Sequence, residues 1–261
     1  MSSWARVQIQ DRIVFGIVKG EQIDVFTGDM FDRPEPAGET IAVSDTQWLT
    51  PCVPKIFLAL WNNFHAAAAK NNWTPPAEPL YFTKTANSYH PHNQPIPVPK
   101  NYDGRIFYEG ELGIVIGRTA RNLTVDQARD AIFGYTCVND MTASDLFNRD
   151  PAFVQWTRAK NQDGFGVFGP VIATGIKAVE LTVRTRINGR ERQNYPVSDM
   201  IFSPADIVSH ISRDITLSPG DIIACGTSLG LVPIKPGTRI EVEIDGIGIL
   251  ANCYGEVETQ T

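Results

Sequence analysis

A β-rich α+β fold is predicted by three observations on this chain of 261 residues. The apolar residues fall in short, β-branched runs of strand length. Few stretches carry helical periodicity. The runs are separated as turns separate strands, by 18 prolines and 21 glycines. A chain of this length buries a substantial single core, and nothing in it requires two large domains. The expected architecture is a mixed β-sandwich or roll with a few short helices.

Residues 1–50 read as a small β-rich appendage and residues 51–261 as the main domain. VQIQ, RIVFGIVKG and QIDVF make a short β-meander, followed by the polar, proline-bearing stretch GDMFDRPEPAGET. From Lys55, KIFLAL reads as a buried strand, the alanines of HAAAAKNN favour a helix, LYFTK is a second strand, and HPHNQPIPVPKN is a proline-punctuated loop. The middle alternates strands with modest helices around TVDQARDAI and TASDLF. In the last third, ELTVRTRI turns at Asn188-Gly189, DIIACGT leads into a glycine-containing loop, and TRIEVEID turns at Gly246 into IGILANCY. Only PADIVSHIS interrupts these strands with helical periodicity.

Charge and composition exclude several function classes. A formal net charge of -6 and a pI near 5.3, with no cluster of Lys and Arg among aromatics, argue against a nucleic-acid partner. The start MSSWARVQIQD lacks a basic segment followed by an apolar core, and runs such as IFLALW are far short of a membrane span. A cytoplasmic protein without a membrane partner is expected. Cys52, Cys137, Cys225 and Cys253 are scattered, mostly among apolar neighbours, and form no C-x-x-C pair, so they read as buried reduced thiols.

The feature that asks for chemistry is RIFYEGELGIVIGR, which sets Glu109 and Glu111 two apart inside an apolar run, with GYTCVND ending on Asp140. In a strand, residues i and i+2 share a face, so the two glutamates project together. Alternating charge also marks the solvent face of an ordinary strand, and an E-x-E alone does not separate the two readings. Paired anions repel, and a divalent cation removes the repulsion. Three carboxylates without histidine or thiolate form a hard oxygen set suited to Mg²⁺ or Mn²⁺ and leave about three octahedral positions for water and substrate.

Across residues 52–254 the chain resembles the fumarylacetoacetate hydrolase superfamily. YEGELGIVIGR is similar to that family's H/Y-E-x-E-L-x-x-V-I-G-R segment and GYTCVNDMTASD to its G-Y-x-x-x-N-D segment. WTRAK, NGRERQ, SDMIF, LSPGDIIACGTSLG and VEIDGIGIL follow in family order. The resemblance implies that Glu109, Glu111 and Asp140 hold the metal. It also implies that the GTSLG loop closes one side of the pocket, where Thr227 and the Gly226 backbone bind a substrate carboxylate. That loop lacks the lysine and spacing of a phosphate loop. Lys160 in WTRAK matches a family lysine expected to face the chelated anion and exchange a proton, and Lys84 matches one expected at the substrate. A homodimer is expected on the same ground.

Departures from the family pattern bear on the reaction. Members carry a mobile N-Y-x-x-H-x-x-E segment whose histidine and glutamate act on water. In LWNNFHAAAAK, His65 supplies a histidine and a candidate proton carrier, but Ala68 stands three residues on where a glutamate would polarise it. After Asp140, many members read N-D-x-x-x-R-D-x-Q. Here Ser144 replaces the arginine, Phe147 replaces the glutamine, and Asp145 is kept. KNQDGFGVFG is similar to the K-x-R-D-G of the bifunctional isomerase and decarboxylase of homoprotocatechuate breakdown rather than to the K-S-F-D-T-F of acylpyruvate hydrolases.

The resemblance therefore implies an isomerase or decarboxylase of an unsaturated 2-oxo or 2-hydroxydienoic dicarboxylate, a small-molecule 2-oxo acid that chelates the metal while its enolate forms. Carbon–carbon hydrolysis of acylpyruvates is the alternative. A catalytically silent metal- or metabolite-binding protein is a third, opened by the changes at positions 68, 144 and 147.

Overall fold

The structure, a computed structural model, describes residues 1–256. Its main sheet has twelve strands, ten of them in the order Asp32–Ala42, Gln22–Asp29, Arg12–Lys19, Ser2–Ile9, Gly166–Thr174, Ile132–Asp140, Gly110–Ile116, Ile222–Ala224, Phe57–Trp61 and Leu80–Lys84. Gln47–Trp48 pairs with Ser2–Ile9, and Tyr89–His90 with Gly166–Thr174, off this path. A four-stranded sheet, Arg190–Pro196, Thr182–Ile187, Thr238–Ile244 and Gly248–Tyr254, packs against the central strands. A small third sheet joins Thr142–Ala143, Ile106–Phe107 and Pro233–Ile234. The β-rich fold with few short helices is the one the sequence predicts.

Gly110–Ile116 is buried on both faces, which accounts for its nearly unbroken apolar run. Leu112, Ile114 and Ile116 join the larger core cluster, while Val115 points the other way, to a second cluster with Phe57, Val138 and Phe168. The N-terminal meander continues this sheet, because Ser2–Ile9 pairs antiparallel with Gly166–Thr174, Ser2 opposite Thr174. Pro34 and Pro36 lie in Asp32–Ala42, the last strand of the order, where a missing N–H costs least.

Local signals explain the hairpins and two of the helices. Asn188 and Gly189 both have positive φ, as the two-residue hairpin between Thr182–Ile187 and Arg190–Pro196 requires. The helices Val125–Ala131 and Pro204–Asp214 start at capping boxes, Thr124 with Gln127 and Ser203 with Asp206. His65–Asn71 is helical as its alanines suggest, and Asn72 ends it in the left-handed conformation.

The helix expected at TASDLF is not formed. Thr142–Ala143 pair as a strand with Ile106–Phe107, and Ser144–Leu146 make only a 3₁₀ turn. The N–H of Ser144 is drawn to the carbonyl of Arg105 at 3.0 Å, so a tertiary partner overrides local helical preference. Conversely, WTRAK forms the short helix Trp156–Lys160. Cys52, Cys137 and Cys225 are buried free thiols, and Cys253 is half-buried. Among the described residues, no helix is long and apolar enough to cross a membrane.

Candidate metal centre

Strand register brings the three carboxylates together. Gly110 lies opposite Asn139, so the next pair outward is Glu109 and Asp140, whose N–H donates to the Glu109 carbonyl at 2.9 Å. Glu111, two residues from Glu109, is opposite Val138, and Asp140 is two residues from Val138. Alternation therefore sends all three side chains to one side. Their ligand oxygens lie within 4.8 Å of one another. Gly110 between the glutamates is required by contact: a Cβ there would run into Thr185 and lie 3.2 Å from Gln193 Oε1. Gln193 instead accepts the Gly110 N–H at 3.1 Å, and the Tyr195 hydroxyl donates to the Gly110 carbonyl.

Burial decides between the two readings of the E-x-E. Glu111 and Asp140 have 0% exposure, so they are not the solvent face of a strand. Glu111 Oε2 accepts the Gly226 N–H at 2.7 Å, while its Oε1 is buried without a hydrogen-bond partner. A partnerless buried carboxylate oxygen is costly unless a cation meets it. Glu109 is steered by Thr142, whose hydroxyl donates to Oε1 at 2.7 Å.

Two lysines reach the same carboxylates. Lys160 Nζ donates to Glu109 Oε2 and to Asp140 Oδ2, each at 2.6 Å. Lys84 Nζ lies 2.7 Å from Asp140 Oδ1, an ion pair by distance though off hydrogen-bond alignment, and donates to the carbonyls of Phe165 and Lys160. Three anions against two cations leave one negative charge in a buried cluster. Burial, followed by repulsion from Asp140 and Glu109, holds the Glu111 carboxyl well above the ordinary range. Burial likewise raises Glu109, against the pull of Lys160. At Asp140 burial acts upward too, but Lys160 and Lys84 outweigh it and its pKa is lowered. Burial opposes the Lys160 ammonium, yet Asp140, Glu109 and Glu111 raise its pKa, whereas burial prevails at Lys84 and lowers it. The oxygen set, the residual negative charge and the partnerless Glu111 Oε1 together fit a divalent cation.

Glu109 and Lys160 line the inner end of a cleft of about 590 Å³. Its walls include Trp61, Trp73, Phe82, Phe147, Trp156 and Leu229. Phe82 stacks on Trp156 with centroids 4.9 Å apart, and Lys160 Nζ stands 5.2 Å from the centre of the Phe82 ring. Thr227 lines the cleft, with its hydroxyl proton given to the Gly110 carbonyl and its oxygen accepting from Gln193 Nε2 at 2.8 Å.

Three expected roles are changed by this geometry. Lys84 is fully buried behind Asp140 and does not line the cleft, so it is placed to hold the Asp140 carboxylate and not to meet a molecule in the cleft. The Gly226 amide is spent on Glu111 rather than free for a substrate carboxylate. Gly226 has φ 89°, and a Cβ would press on the Leu60 carbonyl at 3.3 Å, which accounts for glycine there. His65 is exposed on the helix face opposite Ala67, Lys70 and Asn71, which line the cleft, so the fold does not bring it to the carboxylates. Counting the N-Y-x-x-H-x-x-E pattern from Asn63-Phe64 instead puts Ala67 at the histidine and Lys70 at the glutamate. Ala68 is buried away from the cleft lining. Phe147 does face the cleft and packs on Trp156 at 4.7 Å, whereas Ser144 and Asp145 turn to Arg105. Cys225 is fully buried, and its thiol is pushed well above the ordinary range by burial and then by Glu111, which removes it as a nucleophile.

Apart from Phe147, the aromatic walls carry no motif that marks them in the sequence, and neither do Thr142 and Lys70. The tryptophans are visible in the sequence, but only long-range packing gathers Trp61, Trp73 and Trp156. Alternation along Leu80–Lys84 was the available signal for Phe82, since it shares a face with Lys84.

Known proteins share this fold. The bifunctional 4-hydroxyphenylacetate degradation isomerase/decarboxylase of Escherichia coli is 36% identical over 99% of this chain, which spans 62% of that protein. The crystal structure of 2-hydroxyhepta-2,4-diene-1,7-dioate isomerase from Mycobacterium marinum superposes with a TM-score of 0.89 at 32% identity, covering 100% of both chains. The maleylpyruvate hydrolase of Sphingobium sp. SYK-6, solved with manganese(II) and pyruvate, superposes with a TM-score of 0.78 at 25% identity, over 98% of this chain and 100% of its own. An N-terminal family described as Rv2993c-like matches residues 3–51. The fumarylacetoacetate (FAA) hydrolase C-terminal family matches residues 55–254, and the chain belongs to that family.

Proposed function

We propose that the protein is a divalent-metal-dependent isomerase or decarboxylase of an unsaturated 2-oxo or 2-hydroxydienoic dicarboxylate. The observation that carries this reading is the buried Glu109–Glu111–Asp140 cluster, bridged by Lys160, at the inner end of an aromatic cleft that presents no histidine–glutamate pair. It is supported by the likeness to 2-hydroxyhepta-2,4-diene-1,7-dioate isomerase over the whole of both chains, and by the likeness to the bifunctional isomerase/decarboxylase, of which this chain spans 62%. That the maleylpyruvate hydrolase of the same fold was solved with manganese(II) and pyruvate supports a metal in this protein.

Glu109, Glu111 and Asp140 would hold a Mg²⁺ or Mn²⁺ ion, which supplies a Lewis acid for the charge developing on a 2-oxo oxygen. The protein's own groups do the rest. Thr142 and the Gly226 amide fix the rotamers of Glu109 and Glu111, and Lys84 holds Asp140 from behind. Lys160 Nζ is the proton carrier at the inner end of the cleft, able to donate to a substrate carbon as charge builds there. Phe82, Trp156 and Phe147 keep water from that proton. Replacing lost carbon dioxide by a proton needs only such a donor, and moving a proton between carbons needs in addition a base to take the first proton, which Lys160 supplies only once its own proton has been given up. Hydrolysis needs a positioned water as well, and Ala67 and Lys70 stand where the water-activating pair would be.

A screen of 2-oxo dicarboxylates with Mg²⁺ and with chelator tests this reading. Turnover that needs the metal is expected. An absence of turnover with metal bound would instead favour a metabolite-binding role.

A further inference from the structure

We infer that Gln193 and Thr227 are a positioning pair for the metal ligands, holding the Gly110 peptide that joins Glu109 to Glu111. This deepens the proposed function, rests on its metal reading of the carboxylate cluster, and extends it to side chains that grip the backbone of the ligands.

A gap in the sheet creates the need for such a pair. Asp140 donates to the Glu109 carbonyl, so alternation turns the N–H and C=O of Gly110 to the opposite side of the strand. On that side Gly113, Ile114 and Val115 pair with Ile222–Ala224, and the Cys225 N–H donates to the Leu112 carbonyl at 2.9 Å. At Gly226, with φ 89°, the chain leaves the ladder and its amide goes to the Glu111 side chain. The buried Gly110 peptide is left beside a break where the neighbouring strand has ended. Buried backbone groups need partners, and here side chains supply them.

Gln193 Oε1 accepts the Gly110 N–H at 3.1 Å. An N–H can only donate, so the amide is oriented with Nε2 towards the loop after Gly226. There Nε2 donates to Thr227 Oγ1 at 2.8 Å and lies 3.3 and 3.4 Å from the carbonyls of Ser228 and Leu229. Thr227, accepting from Gln193, gives its own proton to the Gly110 carbonyl at 3.0 Å, which the Tyr195 hydroxyl also meets. The three groups close a head-to-tail circuit from the Gly110 N–H through Gln193 and Thr227 back to the Gly110 carbonyl, in which each bond strengthens the next. The circuit fixes the plane of the peptide, and with it the directions in which Glu109 and Glu111 leave the strand. It also spends the Thr227 proton inside the protein rather than on a substrate carboxylate. Gln193 is 1% exposed and does not line the cleft, so its influence on the cluster passes through these bonds.

The probe is Mn²⁺ alone, titrated calorimetrically into the metal-free full chain and its variants, with the electron paramagnetic resonance spectrum of the bound ion reporting the symmetry of its ligands. Melting in chelator checks that each variant is folded. Gln193→Met should weaken Mn²⁺ binding by about 10- to 100-fold, the usual effect of removing an outer partner of a metal ligand, and should alter the spectrum. Thr227→Val should change both in the same direction, and Thr227→Ser, which keeps the hydroxyl, should restore them. The double variant should lose less than the two single losses multiplied, because both residues act through one circuit. Unchanged affinity and spectrum in either Gln193→Met or Thr227→Val overturns the pair, as does Thr227→Ser binding as weakly as Thr227→Val. Should Gln193→Met fail to fold, the Thr227 variants decide by the same criteria. Failure of the wild type itself to bind Mn²⁺ overturns the metal reading, a result distinct from losses confined to the variants.

Discussion

Replacing Glu111 by Gln should reverse the response of the protein to divalent metal. In the metal-free wild type, a carboxylate with 0% exposure faces two other carboxylates and leaves Oε1 without a partner. The amide keeps an acceptor for the Gly226 N–H and removes the charge, so the metal-free variant should melt above the metal-free wild type. Metal acts oppositely. Because the unfolded chain has no assembled cluster, cation at about 100 times its Kd should stabilise the wild type by about 2.7 kcal/mol. At about 2–4 °C per kcal/mol for a domain of this size, that is roughly 5–10 °C in Tm. The variant should show little of that rise. The assay is thermal melting at pH 8 in chelator and in a Mg²⁺ or Mn²⁺ series. A variant that melts below the wild type in chelator, and still gains the full shift with metal, would refute the assignment of Glu111.

Three further outcomes are expected. Lys160→Met should lose about 10²- to 10⁴-fold in kcat/KM on the best substrate while still binding metal; near wild-type turnover would remove the lysine from proton transfer. Lys84→Met should cost about 3–5 kcal/mol in urea unfolding of the metal-free protein, because it strips a buried partner from Asp140; a loss below about 1 kcal/mol would show that Lys160 alone suffices. His92 Nδ1 accepts the Ala251 N–H at 3.0 Å, which requires a neutral ring, and burial, then Arg239, lowers its pKa from 6.5 to about 4. Its contribution is complete above pH 6.5 and lost as pH falls towards about 4, so the wild type should lose roughly 2 kcal/mol relative to His92→Gln over that window, allowing for partial exposure. Parallel stability curves for the two proteins would contradict this.

The carboxylate cluster was legible because it depends on the simplest periodicity of a strand. Two glutamates at i and i+2 and an aspartate closing the neighbouring run need only antiparallel pairing to converge. The hairpin at Asn188-Gly189 and the capped helices follow from equally local signals. Roles that depend on distant contacts were not legible. Lys84 ends a strand as a solvated lysine would, and is buried because Phe57 pairs with it and the Asp140 carboxylate of the same sheet meets its ammonium. His65 and Lys70 share one short helix, and its rotational phase is set by the burial of Phe64 in the core. TASDLF has helical composition but meets Phe107 and Arg105 across the chain, which hold it extended and then turned.

The central claim is that this cluster and cleft move protons or carbon dioxide rather than add water across a carbon–carbon bond. The most direct test compares kcat/KM for an isomerisable or decarboxylatable 2-oxo dicarboxylate with that for an acylpyruvate of similar length, both with saturating Mg²⁺. Product analysis follows the shifted double bond or released carbon dioxide in one case and pyruvate in the other. Faster, chelator-sensitive turnover of the dicarboxylate is predicted; a clear preference for acylpyruvate cleavage would contradict the account.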